Sequence, residues 1–430
     1  MSRLSAQLAA LEELDDRISV AVIGVGRMGR SIAIGSQRID GVEIAAIADI
    51  RLEQATGTFA EMGHPDEDVT VVESVDDGEA ALADGNRVVT GDALHPPQMD
   101  GIDVIIAATG APQIGAQVAV RAIFNSKHVV MLTDETDAVV GPYLSEMAAQ
   151  AGVVYGGAAG DEPGSIMELY DFADSLGFDI IAAGKGKNNP LDRSATPESL
   201  RTEAKEKNLN PEIYTAFVDG TNSMLEMTMV ANATGLGVDM RGMHGPEVPD
   251  IASLADVFRS GDGEGVLSQD GVVDFALGGG VAPGVFLVVT TDSEIIREDL
   301  DYLNMGGGPN YVLHRSYHIP TIEPLLTAAR AVVYGDGYLV PQAPFVDTVA
   351  VAKRDLSPGD EIDGIGGHTV YGLAENGDVV SSENLVPISL VEGAAVESSV
   401  EAGTALSYDD LTLADSELLH LRKLQDSYFA

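Results

Sequence analysis

Ile18-Ser19-Val20-Ala21-Val22-Ile23-Gly24-Val25-Gly26-Arg27-Met28-Gly29 is the stretch that decides the fold of the N-terminal third of this chain. Six residues of apolar strand pattern run directly into G-x-G-x-x-G, and the motif opens a helical pattern. A second apolar segment, Glu43–Ala48, ends on Asp49, 20 residues after Gly29. Each part has a physical reason: Gly24 permits a tight turn, Gly26 lets backbone N–H groups approach a pyrophosphate, and Gly29 lets the helix pack close to the strand. The helix N-terminus adds positive potential for the diphosphate, and an acid at the tip of the second strand can bond the adenosine ribose. The three glycines alone would be weak evidence; in this strand–turn–helix setting they specify a dinucleotide-binding Rossmann unit.

Outward from this motif, strands and helices alternate as in a parallel α/β sheet. Helices are expected at Met28–Arg38 and Leu52–Met62. The acidic, turn-rich stretch 63–100 reads as an elaboration of the third β–α unit, with a short strand near Val69–Val72 and a helical patch at Glu79–Ala83. Strand Asp103–Ala108, helix Ile114–Asn125 and strand His128–Leu132 follow. The expected continuation is helix Pro142–Ala151, strand Val153–Tyr155, helix Ser165–Ser175 and strand Phe178–Ala183. The loop Thr109-Gly110-Ala111-Pro112 belongs at the carboxyl edge of the sheet, where a nicotinamide should lie. The expected cofactor residues are therefore Gly24, Gly26, Arg27, Met28, Gly29, Asp49, Arg51, Thr109 and Gly110. Asp49 would repel a 2′-phosphate and favours NAD, whereas Arg51 could neutralise one and admit NADP.

The bulk composition excludes several classes. With 430 residues, the chain is long enough for two or three cores. It carries 68 Asp plus Glu against 24 Lys plus Arg, a formal net charge of −44. Nucleic-acid binding is not expected, because such proteins must neutralise phosphates. The acids are interleaved with apolar segments rather than blocked into tails, which argues against disorder. The pattern fits a folded protein adapted to high salt and looks like that of halophilic archaeal cytoplasmic proteins. There are no cysteines, so thiolate catalysis and disulfides are excluded. No apolar run approaches the ~18–20 residues that span a bilayer. Met1 to Asp16 reads as an amphipathic helix with Leu4, Leu8, Leu11 and Leu14 on one side, not as a secretory signal. A cytoplasmic homo-oligomer acting on a small molecule is expected.

Beyond the cofactor region, residues 184–340 lose the βαβ rhythm and suit an α+β catalytic domain, and Pro341–Pro344 marks a boundary. Three constellations stand out. Asp161-Glu162-Pro163-Gly164-Ser165 opens a helix, with Glu168 further along it; Pro at the first helical position is an ordinary start, and the acids can simply cap it. In Gly184-Lys185-Gly186-Lys187-Asn188-Asn189, continued extended geometry would project Lys185 and Lys187 to the same side, spaced for one anion. Lysine is otherwise scarce, and Lys205 and Lys207, amid Glu203 and Glu206, look like a solvated helix face. Asp219-Gly220-Thr221-Asn222 precedes Glu226 and Asn232 on a helix, and His314-Arg315 and His318 come later.

In these segments the chain resembles the homoserine-dehydrogenase-like oxidoreductases that carry a C-terminal SAF domain, whose bacterial members are 1-deoxy-D-xylulose 5-phosphate reductoisomerase-like. The stretch from Val349 to Asp360 is similar to the opening of a SAF β-clip module. The resemblance implies a Rossmann domain over 1–160, a catalytic domain over 161–340 and an all-β SAF domain over 341–430. It implies NAD(P)-dependent reduction, with or without isomerisation, of a small phosphorylated keto-sugar, and tilts the cofactor towards NADP. Lys185 and Lys187 would bind carbonyl or phosphate, Asp219 and Asn222 would join them, and Asp161, Glu162 and Glu168 could hold a divalent cation through hard oxygens. Homoserine dehydrogenase is the nearest alternative, although residues 242–256 contain no lysine to serve it. An NAD(P)-binding redox sensor without turnover is the alternative from another class.

Overall fold

The computed structural model describes residues 3–261 and 263–430. The chain forms two compact units: Met1–Gly164 with Ile319–Gln342 and His420–Ala430, and Ser165–His318 with Ala343–Leu419. These units cut across the three consecutive segments expected above, because the chain returns twice to the first unit.

The first unit is built on a seven-stranded parallel sheet. Its elements are α1 (Arg3–Leu14), β1 (Ile18–Ile23), α2 (Arg27–Ser36), β2 (Val42–Ala48), α3 (Leu52–Glu61), β3 (Val69–Val72), α4 (Val75–Ala83), β4 (Arg87–Thr90), β5 (Val104–Ala107), α5 (Pro112–Phe124), β6 (His128–Met131), α6 (Asp134–Ala151) and β7 (Tyr155–Gly157). The strand order is β3-β4-β2-β1-β5-β6-β7. Only Ser19 in β1 is not fully buried and β5 is buried throughout, as expected of strands covered on both faces. The elaboration expected over 63–100 is an extra edge strand: β4 pairs with β2 and carries β3 outside it. In α1, Leu8 is buried and Leu4 and Leu11 pack on the core. Leu14, however, is 75% exposed and does not share that face; Met1 and Ser2 lie outside the described residues. Helix Pro324–Tyr334 adds Leu325, Ala328 and Ala329 to the same core.

The expected start of α6 at Pro142 is corrected: the helix begins at Asp134 and carries Pro142 inside it. Proline removes an N–H and normally breaks a helix. Here the fully buried Gln425, on helix Glu417–Tyr428, accepts from the Tyr143 N–H at 3.2 Å and donates to the Val139 carbonyl at 3.0 Å. Those two groups would bond each other in an uninterrupted helix. One turn earlier, Asp137 is completely buried; Tyr155 donates its hydroxyl to Oδ2 at 3.1 Å, and Oδ1 has no hydrogen-bond partner. Burial pushes this carboxyl up to about 7.

The second unit takes in α7 (Glu162–Ser175) from Ser165 onward, then β8 (Asp179–Lys187), α8 (Pro197–Glu206), α9 (Pro211–Asp219), α10 (Thr221–Thr234), β9 (Val272–Leu277), β10 (Val285–Thr290) and β11 (Asn310–Arg315). The four strands form a sheet in the order β11-β10-β8-β9. Farther along, β12 (Val346–Ala352) and β13 (Val370–Asn376) pair antiparallel. From Thr221 to Ala233 only Asn222 escapes full burial, the pattern of a helix covered on all sides. One side meets the four-stranded sheet and the other the β12–β13 pair, in a single core that joins Met227 and Val230 to Val285, Leu287, Val349 and Leu373.

Candidate active site

At the carboxyl end of β1, Gly24 has φ +88°, and a Cβ there would stand 2.6 Å from the Ala108 carbonyl oxygen beyond β5. A Cβ on Gly29 would stand 1.9 Å from the Gly24 oxygen, so α2 can approach β1 this closely only through glycine. At Gly26, by contrast, a Cβ would meet nothing within 4 Å; it is the α2 N-cap, without a side-chain cap, and opens a cradle in front of the helix N-terminus. Arg27 and Met28 follow it, exposed. Chain order reverses between β1 and β5, the crevice where open α/β sheets take ligands. Asp49 Oδ2 accepts the Val25 N–H at 2.9 Å and Oδ1 the Arg51 N–H at 2.8 Å. This carboxylate thus ties the glycine turn to the end of β2 while the Arg51 side chain stays exposed. The Thr109 hydroxyl accepts the Ala111 N–H at 3.2 Å, and Gly110 turns with φ +64°. These features fit a dinucleotide: open backbone for the pyrophosphate, a helix N-terminus behind it, and an acid and a base at the ribose position.

In the second unit β8 runs on to Lys187 rather than ending at Ala183. Lys185 and Lys187 lie two residues apart on that strand, and therefore on one face. Both are buried, at 5% and 6% exposure. The face is the one towards α10: Lys185 donates to Glu226, which also accepts from the Asn222 side chain at 2.6 Å. Lys187 donates to the carbonyls of Phe217 at 2.5 Å and Pro190 at 3.2 Å. Burial, helped by the neighbouring Lys185 charge, lowers its ammonium group to about 8.

A third cation joins this face. Val285 of β10 pairs with Lys185 on one side and with Arg315 of β11 on the other, so all three residues stand in one row. Cross-strand pairs share a face. Arg315 was noticed in the sequence only as part of a His-Arg pair; the pairing register was the missing information. It bonds the Ser165 hydroxyl at 2.9 Å and the Glu168 carboxylate at 3.2 Å, and lies 4.6 Å from the Tyr317 ring.

Glu168 is thus engaged with Arg315. Asp161 accepts the N–H of the next residue, Glu162, at 3.1 Å as α7 begins. Asp219, read above as catalytic, is fully buried and has a structural partnership: Oδ1 accepts the Thr221 N–H and Oδ2 the Lys353 ammonium, each at 2.9 Å. The sequence reading noticed Glu226 beside Asn222 but gave it no role. Its only signal was position, one helical turn after Asn222.

Residues 160–324 match the family model described as the catalytic domain of oxidoreductase DRL, and residues 347–412 match the SAF domain. No curated protein matches the chain in sequence. Similar solved structures include a probable dehydrogenase from Thermotoga maritima, at 14% identity and TM-score 0.43 over 76% of this chain and 91% of that one. The 1-deoxy-D-xylulose 5-phosphate reductoisomerase from Zymomonas mobilis, in complex with NADPH, has 18% identity and TM-score 0.38 over 50% and 57%. The myo-inositol dehydrogenase from Lactobacillus casei, with NAD(H) and myo-inositol, has 16% identity and TM-score 0.28 over 47% and 55%. The chain thus spans less than two thirds of the latter two proteins. Among the described residues no helix is long and apolar enough to cross a membrane. Through its DRL catalytic domain at 160–324, followed by a SAF domain at 347–412, the chain is an oxidoreductase.

Proposed function

We propose that this oxidoreductase uses NAD(P)H to reduce the carbonyl of a small phosphorylated keto-sugar, with or without an isomerisation beforehand. The observation that carries the reading is the presence of three cations on one sheet face, two of them lysines held inside the protein. Burying charge is costly unless it is paired or used. Lys185 is paired with Glu226 and Arg315 with Glu168, whereas Lys187 is buried against the carbonyls of Phe217 and Pro190 with no carboxylate of its own among the described residues, in a chain of net charge −44. A phosphorylated carbonyl compound supplies the anion that such a face suits.

Gly24, Gly26 and Gly29 with the α2 N-terminus would hold the dinucleotide, and Asp49 and Arg51 its adenosine ribose. When bound, the reduced nicotinamide supplies the hydride for the carbonyl carbon. Negative charge then develops on the carbonyl oxygen. Lys185, fixed by Glu226, offers that oxygen a preorganised positive charge. Lys187, with its ammonium lowered to about 8, has the acidity to pass a proton to the same oxygen and complete the alcohol. Arg315 suits the phosphate, since a guanidinium binds phosphate oxygens in pairs. Asp161 and Glu162 offer hard oxygens to a divalent cation; Glu168 is committed to Arg315 and is left out of that set.

The test is nicotinamide absorbance at 340 nm with a panel of phosphorylated ketoses and aldoses, 1-deoxy-D-xylulose 5-phosphate among them, using NADH and NADPH in parallel. Turnover of a phosphorylated carbonyl, lost on removing its phosphate, is the expected result. Tight NAD(P)H binding with no oxidation by any member of the panel would overturn the reading in favour of a redox sensor.

A further inference from the structure

The SAF segment supplies a lysine to the core of the second unit. Lys353 follows directly on β12 and is 2% exposed at its side chain, against 0% for its partner Asp219. Its ammonium donates to Asp219 Oδ2 at 2.9 Å, to the Ala195 carbonyl at 2.9 Å and to the Gly367 carbonyl at 2.8 Å. All three protons of the ammonium therefore have an acceptor. Asp219 is the last residue of α9, and one residue later, across Gly220 at φ +92°, α10 begins. The other Asp219 oxygen accepts the Thr221 N–H at the start of α10.

The SAF strands grip α10 at three further points. The Gly372 N–H donates to the Thr221 hydroxyl at 2.9 Å, the Thr228 and Thr348 hydroxyls bond at 2.9 Å, and the Val346 N–H donates to the Asn232 side chain at 3.0 Å. Away from this grip, α10 presents to Lys185 the Glu226 carboxylate, which also accepts from the Asn222 side chain. The chain of contacts is continuous: Lys353, Asp219, the Gly220 junction, the first turns of α10, Glu226, Lys185.

We infer that Lys353 is a positioning residue for the catalytic face, and that the SAF segment is the back wall of the active site. Lys353 fixes the junction between α9 and α10, and thereby the place of the Glu226 carboxylate and of the ammonium that it holds. This rests on the reductase reading for its catalytic meaning, although the contacts themselves stand apart from it. A substitution far from reacting atoms that misplaces them by about 1 Å can cost about 10²-fold in rate.

The experiment compares the wild-type 430-residue chain with Lys353→Met, well below the melting temperature of each. The first readout needs no substrate: pulsed acylation of lysines, followed by mass spectrometry. In wild type Lys185 should be protected. In Lys353→Met it should react about tenfold or more faster, while Lys127 should keep its wild-type rate: it is buried in the first unit and donates to the Ile102 carbonyl at 2.8 Å. The second readout is kinetic: kcat should fall about 10²-fold, with KM within a factor of about three and NAD(P)H affinity unchanged. A merely structural lysine would lower the melting temperature and leave both readouts alone in the folded protein. Should Lys353→Met fail to fold, Lys353→Met with Asp219→Leu removes both charges together and leaves none unpaired. Lys185 as protected as in wild type, or an unchanged kcat in the folded variant, overturns the inference. If wild type reduces no carbonyl at all, the reductase reading fails by itself, and the acylation readout still decides whether Lys353 positions Lys185.

Discussion

Replacing Asp137 by Asn should change how the stability of the protein depends on pH, and the size of the change follows from the structure. The carboxyl is completely buried, has one hydrogen bond from Tyr155, and is pushed up from 3.8 to about 7. A group whose folded pKa is raised adds stability at low pH and withdraws it as pH rises. The contribution is full below about 3.8, is lost progressively up to about 7, and is flat above. At 1.36 kcal/mol per unit, the whole excursion comes to about 4 kcal/mol, a large share of the 5–15 kcal/mol typical of folded proteins. Asn cannot ionise and has nearly the same shape, and its carbonyl can still accept from Tyr155. Denaturant midpoints at fixed high salt, read as variant minus wild type at each pH, cancel the contribution of the other carboxylates. That difference should move in favour of the variant by about 4 kcal/mol between pH 4 and pH 8. The new amide N–H lacks an obvious partner and lowers the whole curve by about 1–3 kcal/mol without changing its shape. A difference that stays constant over that interval refutes the argument, since it would mean that Asp137 ionises without penalty inside the fold.

The remaining predictions concern the cofactor, the lysine face and the charge. Gly26→Val should abolish NAD(P)H binding measured by fluorescence titration while leaving the circular dichroism intact, because the new side chain fills the cradle before α2; wild-type affinity would contradict the assignment. Activity should fall as pH rises through about 8 as Lys187 loses its proton, and a kcat/KM profile flat to pH 10 would remove it as the acid. Lys187→Met and Lys185→Met should each cost about 10²–10³ in kcat, with dinucleotide affinity preserved and Lys205→Met as an inert control. The net charge of −44 should make the melting temperature climb steeply as KCl goes from dilute to ~2 M; a flat calorimetric profile would count against adaptation to salt.

The Rossmann unit was legible because its determinants are local. Strand, glycine turn, helix and acid all lie within residues 18–49, and each constrains its neighbour. Strand β4 was not legible: Val88 and Val89 are its only large apolar residues, in an acidic stretch, and it exists because β2 offers a free edge. The start of α6 was misplaced because proline at 142 is a sound local start signal, and the residue that lets the helix run through it lies nearly 300 positions away. The lysine pair could be read from its spacing, whereas its company could not. Arg315 reaches the same row only through strand register, and Glu226 only through the packing of α10 on the sheet. Asp219 looked catalytic by type and motif; the distant Lys353 that engages it cannot be seen from the Asp219 neighbourhood in sequence.

Gln425 plays the part of a missing peptide group at the break made by Pro142, offering an acceptor to one side and a donor to the other. The consequence is one of timing. On the ribosome, residues 18–157, which hold all seven strands of the sheet, emerge first, but the Tyr143 N–H and Val139 carbonyl of α6 have only water to bond until residue 425 follows. The catalytic and SAF segments are synthesised in that interval. Completion of the cofactor-binding unit is thereby deferred until the machinery that will use the cofactor has been made.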